Sequence, residues 1–500
     1  LRIACLLSAA GCVVALWGCA VGPDFKPPRP SMPADWTGPA SRPATGPATQ
    51  VVAEIAQWWT AFNDPQLSSL VLRAAQCNLN IKQAQARVMQ ARAARNIALG
   101  ALGPSVNLNA GYSRQQPAGL GSRPPTPQDF YRAGVDASWE IDVFGGLRRN
   151  VEAVEADMQA NIEFQRNVLV TITAEVAMNY VDLRAAQKRI EIARRNLQAQ
   201  RNSLELTRVR FEGGLVGGLD VANAEAQAAT TAAQIPQFEA AAARFSYAIA
   251  VLVGAPPGAL SAELAQPAPI PQSSPLVPIG VPCDLLLRRP DIRQAVARIH
   301  GATARIGVAE ADFFPRFTLT GGLNFTSNRL DDWLSWSSRS WSFGPAATWN
   351  IFASGQTFWQ VALQQGVREE TLYAYQQTLL TAMQEVENAM IDSNRERIRR
   401  DALAEAVAAN QRAVDLSVQL YTEGQTDFLN VLNAQRSLLL TEDALSLSDQ
   451  AIAEDVIALY KALGGGWETL CGPCSQCSTW PLAGTPRPLA AADGPTAAAD

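Results

Sequence analysis

Residues 139–145, Trp139-Glu140-Ile141-Asp142-Val143-Phe144-Gly145, return 210 residues later as Trp349-Asn350-Ile351-Phe352-Ala353-Ser354-Gly355. Moving outward at the same offset, Asp220-Val221-Ala222-Asn223-Ala224 returns as Asn430-Val431-Leu432-Asn433-Ala434, and Leu252-Val253-Gly254 as Ala462-Leu463-Gly464. Upstream the offset is 211: Asn80-Ile81-Lys82-Gln83-Ala84 matches Asp291-Ile292-Arg293-Gln294-Ala295, and Pro104-Ser105-Val106-Asn107-Leu108 matches Pro315-Arg316-Phe317-Thr318-Leu319. Solenoid units run to roughly 20–50 residues. A period of about 210 is instead a duplicated half-structure, as in a pseudo-symmetric shell.

Upstream of Trp139 and of Trp349 the pattern alternates. Val106, Leu108, Ala110 and Tyr112, then Tyr131, Ala133, Val135, Ala137, Trp139 and Ile141, recur every second residue. The later copy has Phe317, Leu319, Gly321, Leu323 and Phe325, then Trp341, Phe343, Pro345, Ala347, Trp349 and Ile351. Such period-two runs predict strands at 104–116, 129–143, 315–328 and 340–352, each about the length that crosses a bilayer as a tilted β-strand. The opposite face carries Asn107, Asn109, Ser113, Asp136, Ser138, Thr318, Thr320 and Asn324, residues suited to a watery lumen.

Downstream, Leu147 to Arg210 contains neither Pro nor Gly. Its apolar residues Val151, Val154, Met158 and Ile162, then Val168, Ile172, Val176, Tyr180 and Leu183, are spaced by threes and fours, an amphipathic helix of coiled-coil type. The copy, from Gln356 to Tyr421, carries Val361, Leu372, Tyr375, Leu379, Met383, Val386 and Met390. At 1.5 Å per residue each helix is roughly 100 Å long. Gly213-Gly214, Gly217-Gly218 and Gly424 break these runs, so the chain predicts helical hairpins over 147–253 and 356–463.

The strand count decides the assembly. Four strands leave two open edges, which lipid does not tolerate. Two copies of the chain give eight strands and almost no lumen, whereas three give twelve and a ring of six repeats. The expected fold is therefore an α+β membrane protein: a trimeric 12-stranded transmembrane β-barrel, four strands per chain, continued by a long α-helical coiled-coil tunnel.

Composition narrows the class. A net charge of −5 over 500 residues lacks the basic field that nucleic acid requires. One histidine, His300, leaves little scope for a nucleophile–base pair or a histidine metal cluster, so no enzyme is expected. We read His300 as a solvated helix-surface residue. Cys471, Cys474 and Cys477 lie in a Pro/Ala-rich stretch without a second ligand group, so no metal or other cofactor is expected beyond lipid on Cys19.

Residues 1–18 have the charge and apolar run of a signal peptide, and Leu16-Trp17-Gly18-Cys19 resembles a bacterial lipobox, with Cys19 the acylated residue. The remaining units are a Pro-rich tether (19–56, with eight prolines between 22 and 49), the first repeat (57–254), a linker (255–280), the second repeat (281–466) and a disordered tail (467–500). Within the first repeat, Asp64 is placed to cap a helix whose first residue is Pro65.

Six stretches together resemble the outer-membrane efflux factor family, the TolC-like channels, in the lipoprotein branch that serves resistance-nodulation-division pumps. They are Cys19-Ala20-Val21-Gly22-Pro23-Asp24-Phe25, Trp58-Trp59 through Leu67, Ser138 through Gly145, Asp284-Leu285-Leu286-Leu287-Arg288-Arg289-Pro290-Asp291-Ile292-Arg293, Ala311-Asp312-Phe313-Phe314-Pro315 and Asn433-Ala434-Gln435-Arg436. The resemblance implies a homotrimer in the outer membrane of a Gram-negative bacterium, with a tunnel crossing the periplasm. Its partners would be outer-membrane lipid, a periplasmic adaptor protein and an inner-membrane pump, the whole exporting small toxic compounds. Specificity in such systems resembles a property of the pump, so drugs, metal ions and aromatic acids all fit. A type I protein-secretion duct and a pore-free periplasmic coiled-coil scaffold are the competing readings.

The resemblance also implies a constriction at the periplasmic end of the second hairpin, where family members place an acidic ring. The matching positions here are Asn430 and Asn433, with Asp427 nearby as a substitute acid or as a helix N-cap. Asp220, the first-repeat counterpart of Asn430, lies on the hairpin that the resemblance places outside. The turns at Gly213, Gly214, Gly217, Gly218 and Gly424 are the expected adaptor-docking tips.

Overall fold

The computed structural model describes residues 20–28, 36, 55–116, 126–272 and 288–470. The signal segment, Cys19, most of the tether, Cys283 and the cysteines at 471, 474 and 477 lie outside the described residues.

Eight α-helices, two short 3-10 helices (Trp58–Phe62 and Trp336–Ser338) and four strands are described. Helix α1 (Pro65–Cys77) leads to α2 (Leu79–Gly100), strands β1 (Ser105–Gln115) and β2 (Gln128–Ile141), and a hairpin of α3 (Gly146–Glu212) and α4 (Gly218–Leu252). After the short α5 (Ser261–Leu264), helix α6 (Pro290–Ala311) leads to β3 (Arg316–Ser327), β4 (Arg339–Thr348) and a hairpin of α7 (Gln356–Thr422) and α8 (Phe428–Ala462). Helices α3 and α7 are each 67 residues long, and α4 and α8 each 35. Six of the nine left-handed glycines among the described residues fall in pairs at the same places: Gly145 and Gly355, Gly214 and Gly424, Gly254 and Gly464.

The strands form one antiparallel sheet in the order β1-β2-β3-β4. Its register sorts residues by polarity. Leu108, Val135, Leu323 and Trp341 lie in one row, and Val106, Ala137, Gly321 and Phe343 in the next. Leu108, Trp341 and Phe343 are more than 70% exposed. Opposite them, Asn109 donates to Asp136 at 2.6 Å and Asn324 donates to the same carboxylate at 3.3 Å. Gly134 has no side chain because a Cβ there would meet Asn324 Oδ1 at 1.8 Å.

Strand β4 stops at Thr348, short of the expected Trp349 and Ile351, because its one neighbour in the sheet begins at Arg316. The Trp349 indole instead donates to the Phe313 carbonyl at 3.0 Å, as Trp139 donates to Leu102 at 2.8 Å. Among the described residues no helix is long and apolar enough to cross a membrane.

The main core joins Trp58, Trp59, Phe62 and α1 to the middle of α3 and the ends of α4 and α8. Asp64 caps α1 as expected, accepting from Gln66 N at 2.8 Å and Leu67 N at 3.0 Å, and it also accepts from the Tyr180 hydroxyl at 2.8 Å. Burial pushes the Tyr180 hydroxyl up to about 12. Along the first turns of α3 the buried apolar residues are Ala153, Ala156 and Ala160 rather than Val151, Val154, Met158 and Ile162. Helix α3 packs closely on α6 there: a Cβ on Gly301 would lie 3.3 Å from the Ala153 carbonyl. Small residues therefore take the contact and the branched ones stay half-exposed.

Three further expectations change. The start of the tether is seated on the body: Val21 N donates to Phe144 O at 3.0 Å, and Arg149 donates to Val21 O at 3.0 Å and to Asp24 at 2.8 Å. His300 is not a free surface residue, because its ring stacks on Phe25 at 4.4 Å and its Nε2 lies 2.9 Å from Glu152. Residues 467–470, assigned to the tail, pack on the body, with Trp467 under Arg166 at 4.5 Å and Glu468 paired to Arg288 at 2.6 Å.

Candidate functional site at the hairpin tips

Each long helix ends in a two-bond C-terminal turn built on a left-handed glycine. Gly214 (φ 73°) donates to Phe211 O at 2.9 Å while Leu215 N reaches Arg210 O at 2.9 Å. In the second hairpin Gly424 (φ 77°) donates to Tyr421 O at 3.0 Å and Gln425 N to Leu420 O at 2.8 Å. Gly213 and Gly217 have negative φ, and Gly218 opens α4. Of the five predicted turn glycines, the backbone therefore demands Gly214 and Gly424.

The tips are tied together by residues that sequence reading missed. Tyr421 is buried against Phe428, ring centres 5.6 Å apart, with Ala224, Val431 and Leu432 around it. The Arg210 guanidinium lies over the Tyr421 ring at 4.6 Å and donates to the Tyr421 and Thr422 carbonyls, at the end of α7 where helical carbonyls lack partners. The clue was in the repeat: Arg210-Phe211 in one copy stands against Leu420-Tyr421 in the other.

Asp427 is the N-cap residue of α8, but its side chain makes no capping bond and is exposed. Asn430, one turn on, is exposed and donates to Thr426 Oγ1 at 2.7 Å; Asn433 is exposed as well. These three polar groups share the first two turns of α8. Asp220 is half-exposed in the first turn of α4.

Behind the tips the hairpins meet along α3 and α8. Gln435 donates to Ser203 at 2.8 Å, Arg436 to Gln227 of α4 at 2.6 Å, Asn196 to Glu442 at 2.7 Å, and Arg189 to Asp443 at 2.6 Å. A mostly polar seam joins the hairpins from the tip inward. Among the described residues no group of carboxylates, histidines or cysteines has the geometry of a metal site.

The family model described as outer membrane efflux protein matches this chain twice, over residues 70–255 and 281–465. Nodulation protein T of Rhizobium leguminosarum bv. trifolii is 31% identical over 90% of this chain and 95% of its own length. The toluene efflux pump outer membrane protein TtgF of Pseudomonas putida is 32% identical over 91% and 96%. The probable outer membrane lipoprotein SilC of Salmonella typhimurium is 28% identical over 93% and 98%. Among solved structures, the outer-membrane channel OprN superposes with a TM-score of 0.82 at 34% identity, covering 90% of this chain and 100% of that one. Strands with one apolar and one polar face, hairpins about 100 Å long and these likenesses agree: the chain belongs to the outer membrane efflux protein family and is an outer-membrane efflux channel.

Proposed function

We propose that three copies of the chain close a 12-stranded barrel and form a passive exit duct for small toxic compounds, docked through its hairpin tips on a periplasmic adaptor and an inner-membrane pump. The observation that carries this reading is the four-stranded sheet whose edges, β1 and β4, have no partner among the described residues, while one face is apolar from Val106 to Tyr112 and across the rows beside them. Lipid leaves no alternative to pairing such edges between copies. The equal helix lengths, the paired glycines and the twofold match of one family model support the duplication and a sixfold pseudo-symmetric ring.

Acylation of Cys19 is supported by the seat of its neighbour. Ala20 packs against Gly145, where β2 passes into α3, so a lipid on the preceding residue starts at the membrane boundary. The relatives' names include a toluene efflux component and a pyoverdine export protein; small organic cargo is the reading this favours here. Chemical cross-linking of the detergent-solubilised protein should give a trimer, and a species that stops at monomer or dimer would overturn the architecture.

A further inference from the structure

Helix α8 packs along both α3 and α7. Most rungs of the α3–α8 seam pair a carboxylate with a cation or an amide: Arg195 and Asn196 hold Glu442, and Arg189 holds Asp443. A further rung places two carboxyl groups on one amide. The Gln450 amide donates at 2.7 Å to Asp182 Oδ1 of α3 and at 2.7 Å to Glu454 Oε1 of α8, so a single nitrogen sets the two carboxyl groups side by side. A like charge so close disfavours ionisation, and a proton on either group relieves the repulsion.

The surroundings favour that proton. The groups facing Asp182 are Glu454 and Gln450. On the next residue of α8, Asp455 faces Asp392, Glu396 and Arg397 of α7 together with Glu454. Arg189 is committed to Asp443 and Arg400 to Asp449, and Arg397 acts on Asp455. Asp392 is the repeat counterpart of Asp182, and Glu454-Asp455 stands where the first copy has Arg244-Phe245. The acidic pair is thus confined to the second returning helix, where it touches both long helices.

We propose that the Asp182–Glu454 pair is a proton-operated link between the two hairpins: protonated, it holds α8 to α3, and ionised, it pushes them apart. Its consequence for the duct rests on the channel reading above, but the link itself does not. Burial, then Glu454, pushes Asp182 up to about 7, and burial, then Asp392, pushes Asp455 up to about 7; neighbouring acids of this kind titrate together. A carboxyl raised in the folded state contributes stability that is complete below its ordinary value, near 4, and is lost as pH rises through about 7. The seam should therefore be firm in acid and loose above neutrality.

Hydrogen exchange of the full-length protein in detergent, corrected for intrinsic rates, tests the link without relying on conduction. Between pH 5.5 and pH 8.5, amides of 178–190 and 446–460 should lose protection by about tenfold, the scale of one pH unit of linkage. Asp182→Asn, whose amide can donate to an ionised Glu454, should hold the acid-state protection at both pH values, and Glu454→Gln should do the same. A wild-type profile flat in pH, or a profile unchanged in both variants, would overturn the proposal. Bilayer recordings across the same pH range then report separately on the duct: a pH-dependent seam with pH-independent conductance would keep the link and remove its role in conduction.

Discussion

Arg210 of the first hairpin reaches the end of the second, its guanidinium over the Tyr421 ring at 4.6 Å and its N–H groups on the last carbonyls of α7. This contact satisfies carbonyls that the helix leaves open, places a cation at the negative end of a helix dipole and covers a buried aromatic ring. Charge-assisted bonds of this kind are worth about 1.5–3 kcal/mol. Arg210→Ala should free the second tip, raising single-channel conductance several-fold in planar bilayers while trimer yield stays the same. Arg210→Lys should fall between, because an ammonium keeps the charge but not the planar fork. Unchanged conductance in Arg210→Ala would show that the tip is held by other contacts.

The two left-handed glycines make a separable prediction. A Cβ at Gly214 would meet nothing within 4 Å, so the main cost of Gly214→Val is the left-handed backbone, about 1–3 kcal/mol. At Gly424 a Cβ would also lie 3.5 Å from Arg210 Nη2. The double variant Gly214→Val plus Gly424→Val should lower efflux in cells with no change in the amount of assembled trimer. Full efflux would place adaptor docking away from the tips.

The strands and hairpins were legible because their information is periodic: alternation sets a sheet face, and a run free of Pro and Gly sets a helix. Asp64 was legible because capping is local, and the structure adds only the distant Tyr180 that shares its carboxylate. Contacts between elements were not. The seat of residues 20–25 depends on Arg149 and His300, far along the chain, and the burial of Ala153, Ala156 and Ala160 over Val151 and Val154 depends on how closely α6 approaches. Arg210 and Asp182 look like polar-face residues until α7 and α8 are laid beside them.

Lipidation can be tested apart from barrel formation. Labelling with radioactive palmitate should mark the wild type and not Cys19→Ala. The variant should still form trimer and conduct, since the strands carry their own apolar face and Ala20 to Asp24 keep their contacts with Gly145 and Arg149. A wild-type chain that takes up no label would remove the anchor from the architecture.

The last prediction concerns ion selectivity at the second tip, where resemblance to the family leads one to expect aspartates and this chain has Asn430 and Asn433. Both are exposed at the start of α8, and Asn430 is occupied with Thr426 Oγ1 at 2.7 Å. In a narrow constriction, three carboxylates brought together by a threefold axis concentrate cations and bind multivalent ones, whereas amides keep the size and hydrogen bonding without that field. Wild-type channels in planar bilayers should show weak cation selectivity and little block by trivalent metal ions added from the periplasmic side. Asn430→Asp plus Asn433→Asp should introduce both. Asp427 is the acid that could act in their place, because its carboxylate is exposed and makes no capping bond to α8. Strong selectivity and block in the wild type, both abolished by Asp427→Asn, would transfer the ring to Asp427 and refute an asparagine gate.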